Sequence, residues 1–231
     1  MFHVEQIRSL RHFLLSSAEQ LGVILSEHHV SRLLCYLREL LVWNRKVNLT
    51  GSTDPHEIVV KHILDSLAGL KAICSDRGEV SLLDIGSGAG FPGVPLKILR
   101  PDIKLVLLES NHKKAAFLRQ VIGVLQLQST VVTSEPLEDF AVHRNQSFTH
   151  ITVRALRPEP HFRFIVQLLS PNGRLIVYQS KMQVIDDQAL QETGLMIDQE
   201  ILYSLPYGMG KRFLRILMSH SLCSTWNNNK N

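Results

Sequence analysis

One segment decides the fold: LLDIGSGAGFPG, residues 82–93 of the chain. Its apolar start predicts a buried strand, and its three alternating glycines predict a tight turn that leads into a helix. Glycine is required where the backbone turns with positive φ and where a ligand must approach main-chain atoms closely. In an open parallel sheet this first turn lies at the carboxyl ends of the strands, where ligands bind. The segment therefore predicts a ligand-binding turn in an α/β sheet.

The sequence around this turn alternates short apolar runs with helical stretches, which indicates a parallel sheet covered on both faces. Strands are predicted at residues 81–85, 104–109, 130–133, 149–154 and 174–179. Helices are predicted near residues 93–100, 113–127, 158–169 and 183–191. Two final extended runs, at 196–205 and 212–219, are predicted to pair antiparallel and to close one edge of the sheet. We therefore predict a Rossmann-like α/β fold with a mostly parallel, seven-stranded sheet.

The residues before this sheet are predicted to be helical. Ser26 can cap one helix, and Asp54 can cap a second one, in which Glu57 completes a capping-box pattern. We predict three parts in the chain: a helical element at 1–75 that packs on the core, an α/β domain at 76–220 and a polar tail at 221–231.

The composition argues against several classes of protein. The 231 residues contain no apolar stretch of transmembrane length and no signal-peptide pattern at the start, so we expect a soluble, cytoplasmic protein. The three cysteines, Cys35, Cys74 and Cys223, lie far apart and form no CxxC pair, which argues against a disulfide framework and a metal site. The formal net charge of +4 fits a polyanionic partner without requiring one.

Three interpretations of the glycine turn differ in the ligand that it holds. From Gly88 the sequence matches the dinucleotide fingerprint GxGxxG, but Pro92 offers no N–H where a pyrophosphate needs several. From Asp84 the pattern Asp-x-Gly-x-Gly-x-Gly suits S-adenosylmethionine, which has no phosphate and carries a sulfonium and an ammonium. The third interpretation is a glycine-rich turn without a ligand. We favour S-adenosylmethionine, with the candidate contacts Asp84, Gly86, Gly88, Gly90, Phe91 and Glu109, the last being placed to accept both hydroxyls of a ribose.

The rest of the sequence lacks two devices that methyl transfer often uses. Methylation at a pyrimidine carbon needs a cysteine nucleophile, usually beside a proline, and exocyclic amines are commonly methylated at an Asn/Asp-Pro-Pro-aromatic turn. Neither pattern is found in the chain. A ring nitrogen with a free lone pair, such as guanine N7, needs no base and only has to be aligned with the sulfonium. The sequence is therefore consistent with a ring-nitrogen acceptor.

A polar cluster is predicted on the helix that follows Asp54. Lys61 with Asp65, and His62 with Ser66, are i, i+4 pairs on the face opposite the apolar one. One interpretation is a solvated face with a single surface ion pair, which contributes little to stability. The other is a lid over the cofactor and the acceptor base.

Basic side chains are predicted near the carboxyl edge of the sheet, where a phosphate backbone would meet them. Lys113 and Lys114 follow the second strand, and Arg154 ends the fourth. For the two lysines, a solvated helix surface is an equally good interpretation. The candidate contacts to nucleic acid are Lys113, Lys114, Arg154, Arg157, Lys181, Lys211 and Arg212.

These segments together resemble one protein family. The segments are WNRKVNLT (43–50), KHILDSL (61–67), LLDIGSGAGFPGVPLKILRPD (82–102), LLESNHKKAAFLRQV (107–121) and VRA (153–155). They are similar to the bacterial ribosomal RNA small subunit methyltransferase G family, also called glucose-inhibited division protein B. The resemblance implies a monomeric class I methyltransferase that uses S-adenosylmethionine to methylate guanine N7 in 16S ribosomal RNA, free or in the small ribosomal subunit, without a membrane partner.

The resemblance also implies roles for individual residues. The implied cofactor contacts are Gly86 and Phe91 in the loop, Glu109 at the ribose, Leu137 and Glu138 around the adenine, and Arg154 at the end of the pocket. The family's polar helix matches Lys61, His62, Asp65 and Ser66, which become candidates for positioning the substrate. No residue is assigned to a chemical step of catalysis.

Two positions depart from the family pattern. Pro136 stands where family members usually carry arginine, and Gln179-Ser180 replaces a usual Lys-Gly, with Lys181 as a possible substitute two residues on. The departures leave cofactor binding untouched but put RNA contact and activity in question. Two alternatives stay open at this point: a protein that binds RNA and cofactor with lost or altered activity, and a dinucleotide-binding reductase.

Overall fold

The computed structural model describes residues 4–73, 78–183 and 185–219, and within them the strands form a single sheet. The strands are β1 (Ser81–Ile85), β2 (Lys104–Leu108), β3 (Thr130–Thr133), β4 (Phe148–Arg154), β5 (Leu169–Gln179), β6 (Leu195–Ser204) and β7 (Lys211–Ser219). They lie in the order β3-β2-β1-β4-β5-β7-β6. Strands β1 to β5 run parallel, and β7 pairs antiparallel with both β5 and β6. The predicted α/β fold is confirmed.

Helices precede the sheet and cover both of its faces. Those before the sheet are α1 (Val4–Gln20), α2 (Glu27–Asn44), α3 (Pro55–Ile58), a π-helix (Val59–Leu64), α4 (Asp65–Leu67) and a 3₁₀ helix (Ala68–Ala72). Those between the strands are α5 (Gly93–Leu99), α6 (His112–Leu125), α7 (Leu137–Val142), α8 (Phe162–Leu168) and α9 (Asp187–Thr193), with 3₁₀ turns at Glu159–His161 and Pro206–Gly208.

Two apolar clusters among the described residues flank the sheet. One cluster joins α1, α2 and the π-helix to α5 and α6 on the first face. The other packs α7, α8 and α9 on the second face. Because the N-terminal helices share a core with the sheet, they bring the polar segment at 61–66 against the carboxyl ends of β4 and β5.

The polar face expected at 61–66 is not a solvated α-helical face. Its first four residues end a π-helix, whose i→i+5 hydrogen bonds widen the turn, and Asp65 and Ser66 begin α4. The apolar residues expected to be buried there are buried, but so are Asp65 and Ser66. Lys61 pairs with Glu57 rather than with Asp65. The predicted pair of Lys61 with Asp65 was wrong because the backbone does not follow the α-helical period at this point, and Ser66 donates to the backbone carbonyl of His62.

Three local predictions need correction. Glu57 does not close a capping box, because Asp54 accepts from the His56 N–H while Glu57 accepts from Ser52 and Lys61. The helix expected at 183–191 is α9, which begins after the N-cap residue Asp186. The helix expected at 158–169 opens as a 3₁₀ turn and becomes α-helical only in α8.

Some predictions fall outside the described residues. The proposed boundary between 75 and 76 and the polar tail at 221–231 lie there, as do Cys74 and Cys223. In the part of the chain that the structure describes, no helix combines the length and the apolar character that a membrane span requires. The same part contains no group of three or more His, Cys, Asp or Glu side chains placed to hold a metal ion.

Candidate active site

The glycine turn presents bare backbone to open space. Gly86 and Gly88 have φ of +68° and +57°, which side-chain-bearing residues rarely adopt. A Cβ at Gly86 would meet no described atom within 4 Å, and one at Gly88 would meet only the Gly86 carbonyl at 3.8 Å. Gly90 differs, because its Cβ would lie 2.7 Å from Val94 inside the core. Gly86 and Gly88 can therefore face a ligand, whereas Gly90 allows close packing.

Asp84 lies beneath this turn rather than in front of it. Its side chain is fully buried, and its two carboxylate oxygens accept from the Gly93 N–H at 3.1 Å and from the Thr152 hydroxyl at 2.8 Å. Burial raises the pKa of Asp84 to about 6, against the opposing effect of these hydrogen bonds. The carboxylate holds the turn to the start of α5 and to β4. Sequence reasoning did not find Thr152, which sits in an ordinary buried strand.

Glu109 joins the end of β2 to the glycine turn. Its Oε2 accepts from the Gly88 N–H at 2.7 Å and its Oε1 from the Asn111 N–H at 2.8 Å. An ionised carboxylate offers about four lone-pair sites, so two of them stay available for the hydroxyls of a ribose. Bare backbone at Gly86 and Gly88 beside this carboxylate fits S-adenosylmethionine.

An aromatic wall ends the turn. The Phe91 ring stacks on the His62 imidazole with a centroid distance of 5.1 Å and an interplanar angle of 19°. On another side the ring meets Tyr36 edge-on at 5.5 Å. The guanidinium carbon of Arg154 lies 5.6 Å from the Phe91 centroid, which is within cation–π range. Phe91 therefore connects the turn to the segment at residues 61–66, which we call the polar helix.

Arg154 fastens the polar helix to the end of β4. Its Nη2 donates to the Lys61 carbonyl at 2.7 Å and to His62 Nδ1 at 3.1 Å, and lies 3.0 Å from Asp65 Oδ2. Longer contacts reach the His62 carbonyl and the Ser66 hydroxyl. Arg154 was predicted to contact both cofactor and RNA. In the structure its donors are largely occupied by the polar helix.

Asp65 is the centre of a buried ionic network. Tyr203 donates to its Oδ1 at 2.6 Å, and Arg212 Nε lies 3.8 Å from the same oxygen. Burial first, and the Asp65 charge second, raise the pKa of Tyr203, so the phenol keeps its proton. Close by, Tyr178 donates to the Ser66 carbonyl at 2.8 Å. Nothing in the local sequence marked these tyrosines as part of the site.

A cavity of about 330 Å³ opens between the polar helix and the ends of β4 and β5. Of the predicted site residues, it brings together Lys61, His62, Asp65, Arg154, Arg157 and Arg212. Gln179 also lines it, and its buried side-chain amide has no hydrogen-bond partner in the described part of the chain. Buried amides without a hydrogen-bond partner are rare in folded proteins. The cavity therefore combines a cationic rim, formed by Lys61, Arg157 and Arg212, with the unpaired side-chain amide of Gln179.

The other predicted residues lie around this cavity rather than on it. Lys113 and Lys114 open α6 at the same edge of the sheet, and their N–H groups donate to the cap residue Asn111. Lys181 and Lys211 are exposed next to lining residues. Leu137 and Glu138 begin α7 after β3, where Glu138 lies 3.6 Å from His161.

The fold and the site together define a class of protein. A sheet in the order found here, with a glycine turn after its first strand and a carboxylate after its second, is that of the class I, S-adenosylmethionine-dependent methyltransferases. The model of the GidB family, described as rRNA small subunit methyltransferase G, matches residues 29–214. The chain belongs to this family, as its sequence indicated.

Curated relatives agree with the family model. A ribosomal RNA small subunit methyltransferase G from Roseiflexus sp. is 44% identical over 79% of this chain and 78% of its own. The proteins of the same name from Geobacter sp. and Pseudomonas putida are 37% and 35% identical, over 76% and 87% of this chain and 80% and 92% of their own.

Solved structures of lower identity share the fold. A SAM-dependent methyltransferase from Aquifex aeolicus aligns with a TM-score of 0.52 at 14% identity, over 72% of this chain and 94% of that one. The [4+2]-cyclase SpnF aligns with a TM-score of 0.55 at 13% identity, over 84% and 96% of the two chains. Since the second of these is named for a different reaction, the fold alone does not decide the chemistry.

Proposed function

We propose that this protein transfers a methyl group from S-adenosylmethionine to N7 of a guanine in 16S ribosomal RNA. One observation carries the proposal: the glycine turn ends at Phe91, whose ring stacks on His62, and His62 lines the cationic cavity, so the turn and the cavity adjoin. A ligand on the turn and a base in the cavity would therefore both lie beside this pair of rings and could meet directly, as methyl transfer requires. The volume of about 330 Å³ falls within the range of small-molecule pockets.

The residues of the turn would bind the cofactor. We propose that Gly86 and Gly88 allow its close approach and that Glu109 accepts the ribose hydroxyls. Leu137 and Glu138 would flank the adenine, and Asp84 would act from beneath by holding the turn in shape. When bound, S-adenosylmethionine supplies an electrophilic methyl group on a sulfonium.

Catalysis in this proposal is mainly positioning. Guanine N7 carries a free lone pair, so no side chain has to remove a proton. Alignment alone can lower a barrier by several kcal/mol, of the order of 7–11 kcal/mol in ideal cases. The polar helix is suited to this task because Arg154 and Asp65 fix it to the sheet. The charge of Arg154 is compensated by Asp65, which limits its repulsion of a sulfonium.

The cationic rim would bind the RNA backbone. Arg157 and Arg212 line the cavity, and Lys61 lies beside them. We propose that Lys113, Lys114, Lys181 and Lys211 extend this surface along the edge of the sheet. Base-specific contact would then be made in the cavity by a guanine turned out of its stack. We further propose that the protein acts as a monomer in the cytoplasm, on the small subunit or on its RNA.

Methyl transfer to small ribosomal subunits tests the proposal. Subunits purified from a strain that lacks this enzyme would be incubated with S-adenosylmethionine labelled in the methyl group, and the labelled base identified. We expect label on guanine N7. A Gly88→Ala variant, which places a methyl group on the cofactor side of the turn, is the matched control and should transfer far less.

Three results would contradict the proposal. Label on another base or position would reject the acceptor. Absence of label, with S-adenosylmethionine still raising the melting temperature, would favour a binding protein without turnover, in which the departures at Pro136 and Gln179-Ser180 have removed activity. Stabilisation by NADH alone would favour the reductase.

A further inference from the structure

His62 lies between the glycine turn and the cavity. One face of its imidazole stacks on Phe91, and the residue also lines the cavity. Its Nδ1 is 3.1 Å from Arg154 Nη2, and its Nε2 makes no hydrogen bond with any residue that the structure describes. The ring is therefore tied on one edge and available on the other.

Arg154 determines which ring nitrogen carries the proton. A guanidinium has only N–H donors and keeps its charge at all physiological pH values. The Nδ1 atom of His62 must therefore accept, so the single proton of a neutral imidazole lies on Nε2. Burial, and next the Arg154 charge, lower the pKa of His62 to about 4, which keeps the ring neutral near pH 7. His62 thus offers a fixed N–H donor.

We propose that His62 donates its Nε2–H to the exocyclic O6 of the acceptor base and thereby selects guanine over adenine. This inference rests on the proposed function. Beside N7, guanine presents the O6 acceptor, whereas adenine presents an N6 amino donor at the same place. An N–H donor held at this edge would bind guanine and disfavour adenine. His62 therefore acts as a specificity-determining residue that also orients N7.

Neighbouring groups are less suited to this task. Lys61 could donate from the same helix, but its ammonium pairs with Glu57. The Arg154 guanidinium is occupied by the polar helix. Gln179 has an unpaired amide, yet an amide can turn over and match either purine. Among these groups, His62 alone combines a fixed donor with a position against Phe91.

The test combines a protein variant with a base analogue. The variant His62→Phe keeps an aromatic ring on Phe91 and removes the donor. The analogue is 2-aminopurine, which keeps N7 but lacks O6, built into reconstituted small subunits at the guanine that the first experiment identifies. For the wild type, we expect loss of O6 to lower kcat/KM about 10- to 100-fold, as for loss of one specific base contact.

The variant should respond differently. We expect His62→Phe to be slowed to a similar extent on the natural subunit but to lose almost nothing more when O6 is also removed. The variant His62→Gln, which keeps an N–H donor, should recover part of the rate on guanine. The exposed residue His28 supplies the control His28→Phe, which should behave like the wild type. Unchanged stabilisation by S-adenosylmethionine would show that the variant folds.

Equal sensitivity to O6 in the wild type and in His62→Phe would overturn the inference. Recovery by His62→Gln would then also be absent. Failure of the proposed function gives a different result, because the wild type would not methylate even the natural subunit. Such a failure would remove this inference with it.

Discussion

The two sides of the site are built in different ways. On the cofactor side, the contacts that shape the turn are closer in the chain, with separations of 9 for Gly93 and Asp84, 21 for Gly88 and Glu109, and 68 for Thr152 and Asp84. On the acceptor side the polar helix is held by partners 88 to 147 residues away, among them Arg154, Tyr203 and Arg212. The first side depends on local backbone conformation, and the second on a buried ionic network.

The two sides should therefore respond differently to substitutions. A change at Gly86 or Gly88 should affect the ligand more than the fold, because these two positions face open space. A change in the Asp65 network should affect the fold at least as much as the reaction, because it would leave buried charges without partners. The following experiments test this distinction.

The largest effect is expected from Asp65→Asn. The substitution leaves Arg154 and Arg212, both mostly buried, without their anionic partner. Removing one member of a buried ion pair typically costs about 3–5 kcal/mol, so the free energy of unfolding in urea should fall by that amount. Glu57→Gln, which breaks the exposed ion pair with Lys61 at the neighbouring α3, is the control and should cost far less stability. Equal losses of stability in the two variants would show that the buried network is no more sensitive than the exposed ion pair.

A pH dependence should come from Asp84 on the cofactor side. Its pKa of about 6 in the folded protein lies above its ordinary value of 3.8, so the folded state holds the proton more tightly. The associated stability is complete below pH 3.8 and is lost as the pH rises through 6, by about 3 kcal/mol in total. Unfolding of the wild type and Asp84→Asn should be compared from pH 4 to 8. If their difference does not change with pH, Asp84 is not the group responsible.

Gly88→Ala should separate binding from stability. Its φ of +57° costs a side-chain-bearing residue about 1–2 kcal/mol, and the new methyl group points towards the proposed cofactor position. We expect calorimetry to show S-adenosylmethionine affinity reduced about 10-fold or more, a loss of about 1.4 kcal/mol or more. Gly123→Ala, in the exposed last turn of α6, should leave affinity unchanged and stabilise the protein slightly. Unchanged affinity in Gly88→Ala would place the ligand elsewhere.

The smallest effect is expected from Gln179→Met. The buried amide of Gln179 has no partner among the described residues, and an unpaired amide costs about 1–3 kcal/mol. A thioether of similar length should therefore raise the free energy of unfolding by about 1 kcal/mol. If the base uses this amide, methyl transfer should fall at the same time, as in other trade-offs between stability and activity. A destabilised variant would show that the amide has a partner after all.

The sequence revealed much of the fold and of the cofactor side. The apolar run and glycines at 82–93 carry a strong local pattern, and strands such as β1 and β3 match their predicted bounds. The acceptor side was harder because its partners are remote and individually unremarkable. Tyr178 and Tyr203 resemble any strand tyrosine until the sheet brings them to the polar helix.

The π-helix shows most clearly what could not be predicted from the sequence. Spacing and the cap at Asp54 both indicated an α-helix, on which Lys61 and Asp65 would pair in solvent. The wider turn instead placed Asp65 in the interior. Local propensity does not encode such a turn, since tertiary packing decides it.

The position of Asp65 also bears on the order in which the protein is assembled during synthesis. Asp65 leaves the ribosome early, whereas Tyr203 and Arg212 leave it near the end. The glycine turn and Glu109 can meet once about half of the chain is made, but closing the longer loop must wait. A nascent chain that stops before β7 would thus contain a cofactor turn without a finished acceptor cavity. In the proposed enzyme, the base-binding side is therefore the last part whose contacts can form during translation.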